Sequence, residues 1–365
     1  CSKNAFVKSS VSRRVRVFPY GSGGKNSREY HPLLLMFHRP TYVINNGALV
    51  TPERVESGAI RIAKGRISAI ADHITPQSQD MVTDIEDARV YPGLINAHDH
   101  LELNLFPNIG QGPYANSYDW FDDVNALRDD PIMTDVLAIP IEDRLLWGGY
   151  RNLLSGVTTV AHHNPYHRRL FNSGFPVRVL RRYRWSHSLR LAGTYGGRSD
   201  DEYRKTKQGE PFIIHLAEGV DDVAAAELTQ LDYLGALGAN TVIVHGVGLT
   251  ANDLALMCER QASMIWCPSS NLFLFNQTVD IGALPEDLPV ALATDSMLSG
   301  APTLFDELRV AAAQKNATPQ ALTNMVTTNP AKILDLPDHT GYLTESAPAD
   351  ILVLDRLDDD PYQNL

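Results

Sequence analysis

The sequence predicts an α/β protein: a (β/α)8 barrel of the TIM type, with room for one abbreviated repeat, and a small β-sandwich-like domain built from both ends of the chain. Three observations indicate this fold. Short apolar runs alternate with helical patterns through the middle of the 365 residues. There are eight such runs, the number that a closed barrel of parallel strands needs. Strand-like segments bracket them at both ends.

The eight candidate barrel strands follow one another at short intervals. They lie at 91–97, 157–162, 177–182, 189–193, 211–216, 241–245, 263–267 and 289–294. Helical patterns lie at Asp221–Leu237, Thr250–Arg260 and Thr303–Gln314. The interval from Arg181 to Ser188 leaves little room for a helix between two strands. Either one repeat is abbreviated there, or the strand count is off by one.

The two ends of the chain have strand character. Between Tyr42 and Ile74 the segments TYVINNGALVT and SGAIRIAKGRISAIA alternate in polarity, and Asn46-Gly47 and Lys64-Gly65 predict hairpin turns. Gly341-Tyr-Leu and Ala349–Asp355 predict further strands near the other end. We therefore expect one small β-rich domain made of residues 1–88 and 338–365, and a catalytic barrel over 89–337.

Composition excludes several classes of protein and of partner. The net charge of −11 argues against nucleic acid and anionic membranes as partners, since both are polyanions. No apolar stretch is long enough to cross a bilayer. The three cysteines form no CxxC pair, which favours reduced thiols in a cytoplasmic protein. The HxE…PCxxC pattern of cytidine-deaminase-type zinc enzymes is missing too. We expect a small-molecule substrate and leave a homo-oligomer open.

The first residues are basic. Up to Arg28 there are seven Lys or Arg and no acid, a composition typical of transit peptides. The alternative, which we favour, is an ordinary N-terminal extension that packs on the small domain.

The most informative stretch is Tyr91–Glu102, in which an apolar run ends in His98 and His100. In a strand, residues i and i+2 point to the same face, so the two imidazoles converge while Asp99 points away. Two convergent neutral imidazoles form half of a metal site.

Later strands also end in polar groups. One later strand ends in His215, and Glu218 lies just beyond it. A further strand ends in His245, and the last strand ends in Asp295. In one parallel barrel, all of these side chains lie on the rim of the same C-terminal face, where barrel active sites are built. An accidental succession of such residues at strand ends is improbable.

These motifs resemble those of the amidohydrolase superfamily from Thr41 to Asp355. Within it, the chain is most similar to the mononuclear branch that contains cytosine, guanine and S-adenosylhomocysteine deaminases and the triazine hydrolases. The matching motifs are PGLINAHDH, SGVTTV, HLAE, VHGVGL, CPSSN, ATDS and TTNPAKILDL…GYLTESAPADILVL.

The resemblance implies a metal-dependent hydrolase, and it implies a role for each strand-end residue. The metal ligands would be His98, His100, His215 and Asp295, with Asp295 also counted among the catalytic groups. Glu218 would shuttle protons between an activated water and the leaving group, and His245 would orient that water or the developing oxyanion. One divalent ion is expected, Zn²⁺ first and Fe²⁺ as the alternative, because nitrogen and oxygen ligands suit both.

The number of metal ions depends on His245, which could instead ligate a second ion. Binuclear members of the superfamily hold two ions with a carboxylated lysine or a glutamate on an intermediate strand. The candidate strand Leu189–Thr194 contains neither, which favours a single metal.

Five further residues are candidates for the substrate side of the pocket. They follow the strand ends or lie in the loop after His100, and they are Glu102, Asn104, Trp120, His163 and Asn271. For His163, a place in the core or behind the site is the equal alternative. We expect an aminohydrolase of a nitrogen heterocycle. The alternatives are an amidase, cyclic-amide or dehalogenating hydrolase of the same superfamily and, more remotely, an inactive relative that serves in binding or assembly.

Overall fold

The computed structural model describes residues 15–18, 40–172 and 174–365. The strands are β1 (Val15–Phe18), β2 (Thr41–Val50), β3 (Val55–Ala63), β4 (Arg66–Ala71), β5 (Asp80–Asp84), β6 (Arg89–Pro92), β7 (Leu94–Asp99), β8 (Val157–His162), β9 (Arg178–Val179), β10 (Arg184–Ser186), β11 (Phe212–Leu216), β12 (Thr241–His245), β13 (Ser263–Trp266), β14 (Val290–Leu292) and β15 (Ile351–Leu354). The basic N-terminal extension lies outside the described residues, apart from β1.

The α-helices occur mainly between the parallel strands. They are α1 (Ser117–Ala126), α2 (Pro131–Leu137), α3 (Ile141–Leu154), α4 (Ser199–Lys205), α5 (Asp222–Ala225), α6 (Glu227–Tyr233), α7 (Ala251–Arg260), α8 (Pro268–Phe275), α9 (Leu304–Ala313), α10 (Pro319–Met325) and α11 (Thr328–Ile333). Short 3-10 turns cover Leu101–Leu103 and Ile281–Ala283.

Strands from both ends of the chain form one sheet. Its order is β1-β15-β6-β2-β3-β4, with β5 paired to β2. Strand β15 is antiparallel to β6 and to β1, so the last strand of the chain holds the early ones together. The apolar side of this sheet is buried around Ile44, Ile60 and Val90. In the described part of the chain these strands form one continuously hydrogen-bonded sheet.

Two details of this sheet differ from the sequence predictions. Asn46-Gly47 is not a hairpin turn: β2 continues through it, with Asn46 at a φ of 58° and a register shift against β3. The chain turns at Thr51–Arg54 instead, and Lys64-Gly65 forms the predicted turn between β3 and β4. Gly341 lies at a positive φ in a turn, so the strand predicted there is also wrong.

The middle of the chain forms two parallel sheets. One has the order β7-β8-β9 and the other β10-β11-β12-β13-β14. Side-chain bonds from Asn96 on β7 to Thr294, just after β14, join the two sheets at one side. The run predicted at 91–97 is divided at Gly93: β6 belongs to the sheet of the chain ends, and β7 begins the parallel part.

The fourth parallel strand lies five residues earlier than predicted. It is Arg184–Ser186, whereas 189–193 forms turns that end in Gly193 at a φ of 84°. β9 is only two residues long and is followed by β10 without an intervening helix. The abbreviated repeat therefore lies where the spacing from Arg181 to Ser188 predicted it. The corrected strand also contains neither lysine nor glutamate.

No helix among the described residues combines the length and the apolar character required to cross a lipid bilayer.

Helix α3 packs closely against the turn after the H-x-H motif, with Gly148 facing the backbone of Leu101. A Cβ added at Gly148 would lie 2.3 Å from the carbonyl oxygen of Leu101, which is backbone. At the next position, Gly149, an added Cβ would meet the ring of Phe175 at 2.7 Å.

We predict that Gly148→Ala lowers the free energy of unfolding by about 1–3 kcal/mol, the usual cost of overpacking, even though alanine favours helices. Gly149→Ala is the matched control and should cost less, because an aromatic ring can shift where a backbone carbonyl cannot. Urea unfolding followed by circular dichroism measures both. A Gly148→Ala variant as stable as the wild type would contradict the close approach.

Candidate metal centre and active site

The two histidines of the H-x-H motif lie at the C-terminal end of β7. His98 is completely buried and His100 nearly so, and their ring centroids are 4.9 Å apart. Strand geometry sends both side chains to the same side, as the sequence predicts. Asp99 points the other way, where its carboxylate accepts hydrogen bonds from Asn104 (2.8 Å) and Asn152 (2.7 Å).

Four donor atoms from the ends of two strands, β7 and β11, and from the loop after β14 converge. The Nε2 atom of His215 lies 3.1 Å from that of His98 and 3.4 Å from that of His100. The Oδ1 atom of Asp295 lies 3.4 Å and 3.5 Å from the same two nitrogens. Tetrahedral bonds of 2.0–2.1 Å to one ion place ligand atoms about 3.3 Å apart. The donor set and its spacing therefore fit a single divalent cation.

Hydrogen bonds on the far side of two of these groups hold them in place. The Nδ1 atom of His215 is 2.8 Å from the carbonyl oxygen of His187 and donates to it, which leaves Nε2 as an acceptor. The hydroxyls of Ser270 and Ser299 each lie 2.9 Å from Oδ2 of Asp295, so Oδ1 is the oxygen that faces the histidines. Such outer contacts orient metal ligands and fix their tautomers.

The protonation states also suit a cation. Burial lowers the pKa of His98 to about 4 and the pKa of His215 well below its usual range, so both rings are neutral at pH 7. Burial opposes ionisation of Asp295, but the ring of His98 and the neighbouring His245 and His100 outweigh it and hold the pKa of this carboxyl below its ordinary value. The centre offers three imidazole nitrogens, those of His98 and His215 on neutral rings, and one carboxylate.

His163 is a fourth histidine in this cluster, with a ring nitrogen within 4.8 Å of the ligand atoms of the other three. Its position differs from theirs. Its Nδ1 lies 3.2 Å from Nδ1 of His98, which is the side of that ring opposite to the converging Nε2 atoms. Its Nε2 lies 3.2 Å from the carbonyl oxygen of Ser186. Both ring nitrogens of His163 therefore have protein partners, which favours the alternative of a place behind the site.

Glu218 and His245 lie beside the four converging donors. The Nε2 atom of His245 is 3.4 Å from Oε1 of Glu218, and both side chains are buried. Burial raises the pKa of Glu218, and the His245 ring counteracts part of that effect. His245 is aligned by Asn271, whose Oδ1 accepts from Nδ1 at 2.9 Å. The pair therefore combines a carboxyl group suited to exchanging protons with an imidazole of fixed orientation.

A buried pair that the sequence analysis missed, Glu227 and Tyr118, holds the backbone next to Glu218 in place. Glu227 accepts a hydrogen bond from the backbone N–H of Ala217 at 2.7 Å, and its other oxygen accepts from the hydroxyl of Tyr118. Ala217 lies in the left-handed region with a φ of 51°. These bonds fix the sharp bend that turns Glu218 toward His245. A charged residue nine positions after Glu218 on a predicted helix gives no sequence signal for this role.

The remaining candidates for the substrate side have protein partners. Asn104 donates to Asp99 and accepts from Arg151, and Asn271 holds His245. Trp120 donates to the carbonyl oxygen of Ile109 at 2.7 Å and packs in a small apolar cluster of the loop.

Glu102 accepts a hydrogen bond from Asn164, and its Oε2 lies 3.8 Å from Nδ1 of His162. This Oε2 atom is buried and has no hydrogen-bond partner among the described residues. Glu102 therefore keeps a free acceptor, unlike Asn104 and Asn271.

Three rings near the centre were missed by the sequence analysis. The ring of His187 lies 4.7 Å from that of His215, and Phe121 and Tyr195 lie 6.4 Å and 6.0 Å from His187. Tyr195 is about half exposed. His187 directly follows β10, so it is a histidine at a strand end, as His98 is. The sequence analysis missed it because it placed this strand at 189–193.

Comparison with known proteins identifies relatives of this architecture. Residues 199–365 match the model of the amidohydrolase family. The 5'-deoxyadenosine deaminase of Methanosphaera stadtmanae is 22% identical over 86% of this chain and 85% of its own. The 5-methylthioadenosine/S-adenosylhomocysteine deaminase of Nitratidesulfovibrio vulgaris is 26% identical over 82% of this chain and 79% of its own.

Solved structures agree in fold. An adenosine deaminase from Xanthomonas campestris with bound zinc superposes with a TM-score of 0.70 at 19% identity, covering 86% of this chain and 84% of that one. An atrazine chlorohydrolase from Arthrobacter aurescens complexed with zinc gives a TM-score of 0.66 at 18% identity, covering 85% and 86%.

One buried carboxyl near the centre makes stability depend on pH. Glu307 accepts from the backbone N–H of Ser269 at 2.8 Å, while its Oε2 has no partner among the described residues. Burial raises its pKa to about 8. The folded state thus retains a proton that the unfolded chain releases near its ordinary value of 4.5. The stability associated with this proton is full below the unfolded pKa and is lost as the pH rises toward 8.

We predict that Glu307→Gln becomes more stable relative to the wild type as the pH rises from 5 to 8, by up to about 1.4 kcal/mol per pH unit. Urea unfolding at pH 5, 6.5 and 8 measures the difference, with the exposed Glu286→Gln as control. A stability difference that stays constant across this window would contradict the raised pKa.

Proposed function

We propose that this chain, which carries an amidohydrolase-family domain over residues 199–365, is a metal-dependent aminohydrolase that releases ammonia from an amino-substituted nitrogen heterocycle. The observation that carries the proposal is the Glu218–His245 pair, 3.4 Å apart, beside four converging donor atoms. A proton-exchanging carboxyl next to a cation site is the arrangement that hydrolysis by an activated water needs.

We infer that His98, His100, His215 and Asp295 hold one Zn²⁺ ion. The three-nitrogen, one-oxygen donor set and its spacing of 3.1–3.5 Å support this, with Fe²⁺ as the alternative. Two of the solved relatives contain zinc. When bound, such an ion lowers the pKa of a water molecule toward neutrality and so supplies a nucleophile.

Glu218 is proposed to accept a proton from the attacking water and to deliver one to the departing nitrogen. Its raised pKa suits both halves of this exchange, because a group that ionises nearer neutrality both accepts and donates readily. The bend at Ala217, held by Glu227, keeps the carboxyl at the centre.

His245 is proposed to orient the water or the oxyanion that forms as the trigonal carbon is attacked. Its Nδ1 hydrogen is committed to Asn271, so Nε2 is the nitrogen that faces the reacting groups. Its Nε2 also lies 3.4 Å from Oε1 of Glu218, so the two groups face the same reacting atoms.

The substrate class is inferred from the surroundings of the centre and from the relatives. His187, Phe121 and Tyr195 supply flat faces beside His215, which suit a planar heterocycle. Two relatives are named as deaminases of adenosine derivatives. We therefore propose an amino-purine nucleoside or a similar heterocycle as the substrate.

The two parallel sheets are proposed to form one (β/α)8 barrel with an abbreviated third repeat. Bonds between Asn96 and Thr294 support closure at one side, and the shared centre supports it at the C-terminal face. The sheet of the chain ends is then a separate small domain, whose strand β6 leads directly into β7.

Ammonia release across adenosine derivatives, other purines, pyrimidines and aminotriazines tests the proposed reaction. We expect one class to release ammonia, and we expect Glu218→Gln to lower kcat by about 10²–10⁴-fold with the metal content unchanged. Glu53→Gln, an exposed change in a turn, is the matched control. Cleavage of amides or chlorotriazines without ammonia from any amine would overturn the deaminase assignment.

Removal of the metal tests the centre. Dialysis against a chelator should abolish activity, and one equivalent of Zn²⁺ or Fe²⁺ should restore it. His215→Asn should lose stoichiometric metal, as measured by elemental analysis, whereas His73→Asn at an exposed position should retain it. A wild-type protein that takes up no ion even after supplementation would favour an inactive relative.

A further inference from the structure

His163 connects a metal-ligand candidate to the backbone of another sheet. It directly follows β8, and its ring is almost completely buried. On one side, Nε2 is 3.2 Å from the carbonyl oxygen of Ser186, the last residue of β10. On the other side, Nδ1 is 3.2 Å from Nδ1 of His98. The contacts form a chain from a backbone carbonyl through two imidazoles to the converging atoms.

The chemistry of these groups fixes every hydrogen in that chain. A backbone carbonyl can only accept, so Nε2 of His163 carries a hydrogen. A neutral imidazole with a hydrogen on Nε2 presents Nδ1 as an acceptor. The facing Nδ1 of His98 must then donate, which leaves the lone pair of His98 on Nε2, the atom 3.1 Å from His215. The other tautomer of His98 would place two acceptors, Nδ1 of His98 and Nδ1 of His163, in contact, and it would also put a hydrogen on Nε2, where the cation would bind.

We propose that His163 is a positioning residue that sets the tautomer and ring plane of His98, so that its Nε2 lone pair points at the metal ion. This inference rests on the metal centre of the proposed function. His163 contacts neither substrate nor ion in this arrangement and acts only through His98.

Aromatic rings pack against His163 on two sides. Trp185 meets it edge-on, with ring centroids 5.3 Å apart at 87°, and His215 stacks on it at 4.4 Å. The Ser186 carbonyl is itself placed by β10, which pairs in register with β11. The acceptor that faces His98, Nδ1 of His163, is thus held by both parallel sheets. His163 directly follows β8, and its Nε2 is bonded to Ser186 on β10.

The alternative is that His163 is itself a ligand, since a nitrogen of its ring lies within 4.8 Å of the donors of the other three histidines. The geometry disfavours this, because its nearer nitrogen faces Nδ1 of His98 and not the Nε2 atoms. A ligand role would require His98 to give up that contact.

Three substitutions separate these roles. In His163→Asn, an amide oxygen takes the place of Nδ1, one bond from Cγ, and can still accept from His98. In His163→Gln, the amide lies at the distance of Nε2 and reaches Ser186 but not His98. His163→Phe keeps the ring shape and loses both bonds. Near-ultraviolet circular dichroism and thermal unfolding establish that each variant is folded.

The readout is the affinity for Zn²⁺ alone, measured by competition with a chromophoric chelator without substrate. We expect His163→Gln and His163→Phe to bind Zn²⁺ about 10- to 100-fold more weakly than the wild type, the usual cost of losing such an outer contact. His163→Asn should bind within a few-fold of the wild type. Equal losses in His163→Asn and His163→Phe would indicate a ligand or a general structural role and would overturn the proposal. Unchanged affinity in His163→Gln would overturn it as well.

Nitrogen-15 NMR of the metal-free protein gives a second readout that does not depend on the proposed function. We expect His98 in the Nδ1-protonated tautomer in the wild type and in His163→Asn, and a mixture of tautomers in His163→Gln. The Nε2-protonated tautomer in the wild type would overturn the proposal. If the wild type showed the expected tautomer but bound no Zn²⁺, the metal function would fail while the hydrogen-bond chain stood.

Discussion

The crowding of acceptor atoms at one point is the constraint on which the rest of this structure depends. Three imidazole nitrogens and a carboxylate oxygen face one another at 3.1–3.5 Å. Lone pairs at such distances repel one another unless a cation lies among them. The protein holds three of the four groups there by hydrogen bonds on their far sides, whereas Nδ1 of His100 has no partner among the described residues. His163, the carbonyl of His187 and the hydroxyls of Ser270 and Ser299 supply those bonds. Much of the buried polar structure around the centre serves this purpose.

The sequence pattern indicates the strand-end groups that converge at the centre but gives little signal for the groups that bond them from behind, and strand geometry explains this difference. A side chain at the end of a parallel strand has a direction set by the two-residue period, so His98, His100, His215 and His245 could be placed without knowing the fold in detail. Their supports come from loops and helices whose positions depend on tertiary packing. Asn104 and Asn271 were therefore expected to face the substrate, although they bond Asp99 and His245.

The same reasoning accounts for the errors in the fold. Leu189–Gly193 has as much apolar character as Tyr183–Ser186, and composition alone cannot distinguish a strand from a buried turn. Asn46-Gly47 has the composition of a hairpin turn, yet the strand passes through it as a bulge. At Asn46-Gly47 the local pattern was correct about a bend in the chain but did not indicate which strands would pair on either side of it. At Leu189–Gly193 the apolar pattern predicted a strand where the chain forms turns.

The division of the parallel strands into two sheets has a consequence for the whole molecule. His98 and His100 belong to the sheet β7-β8-β9, whereas His215 lies on the other sheet and Asp295 in the loop after that sheet's last strand. An ion held by all four is therefore a cross-link between two parts of the chain that share no strand ladder among the described residues. The free energy of ion binding would at the same time stabilise the association of the two sheets, because a ligand stabilises the state of the protein that binds it. An ion bound at the centre would thus hold the two sheets together in addition to its part in catalysis.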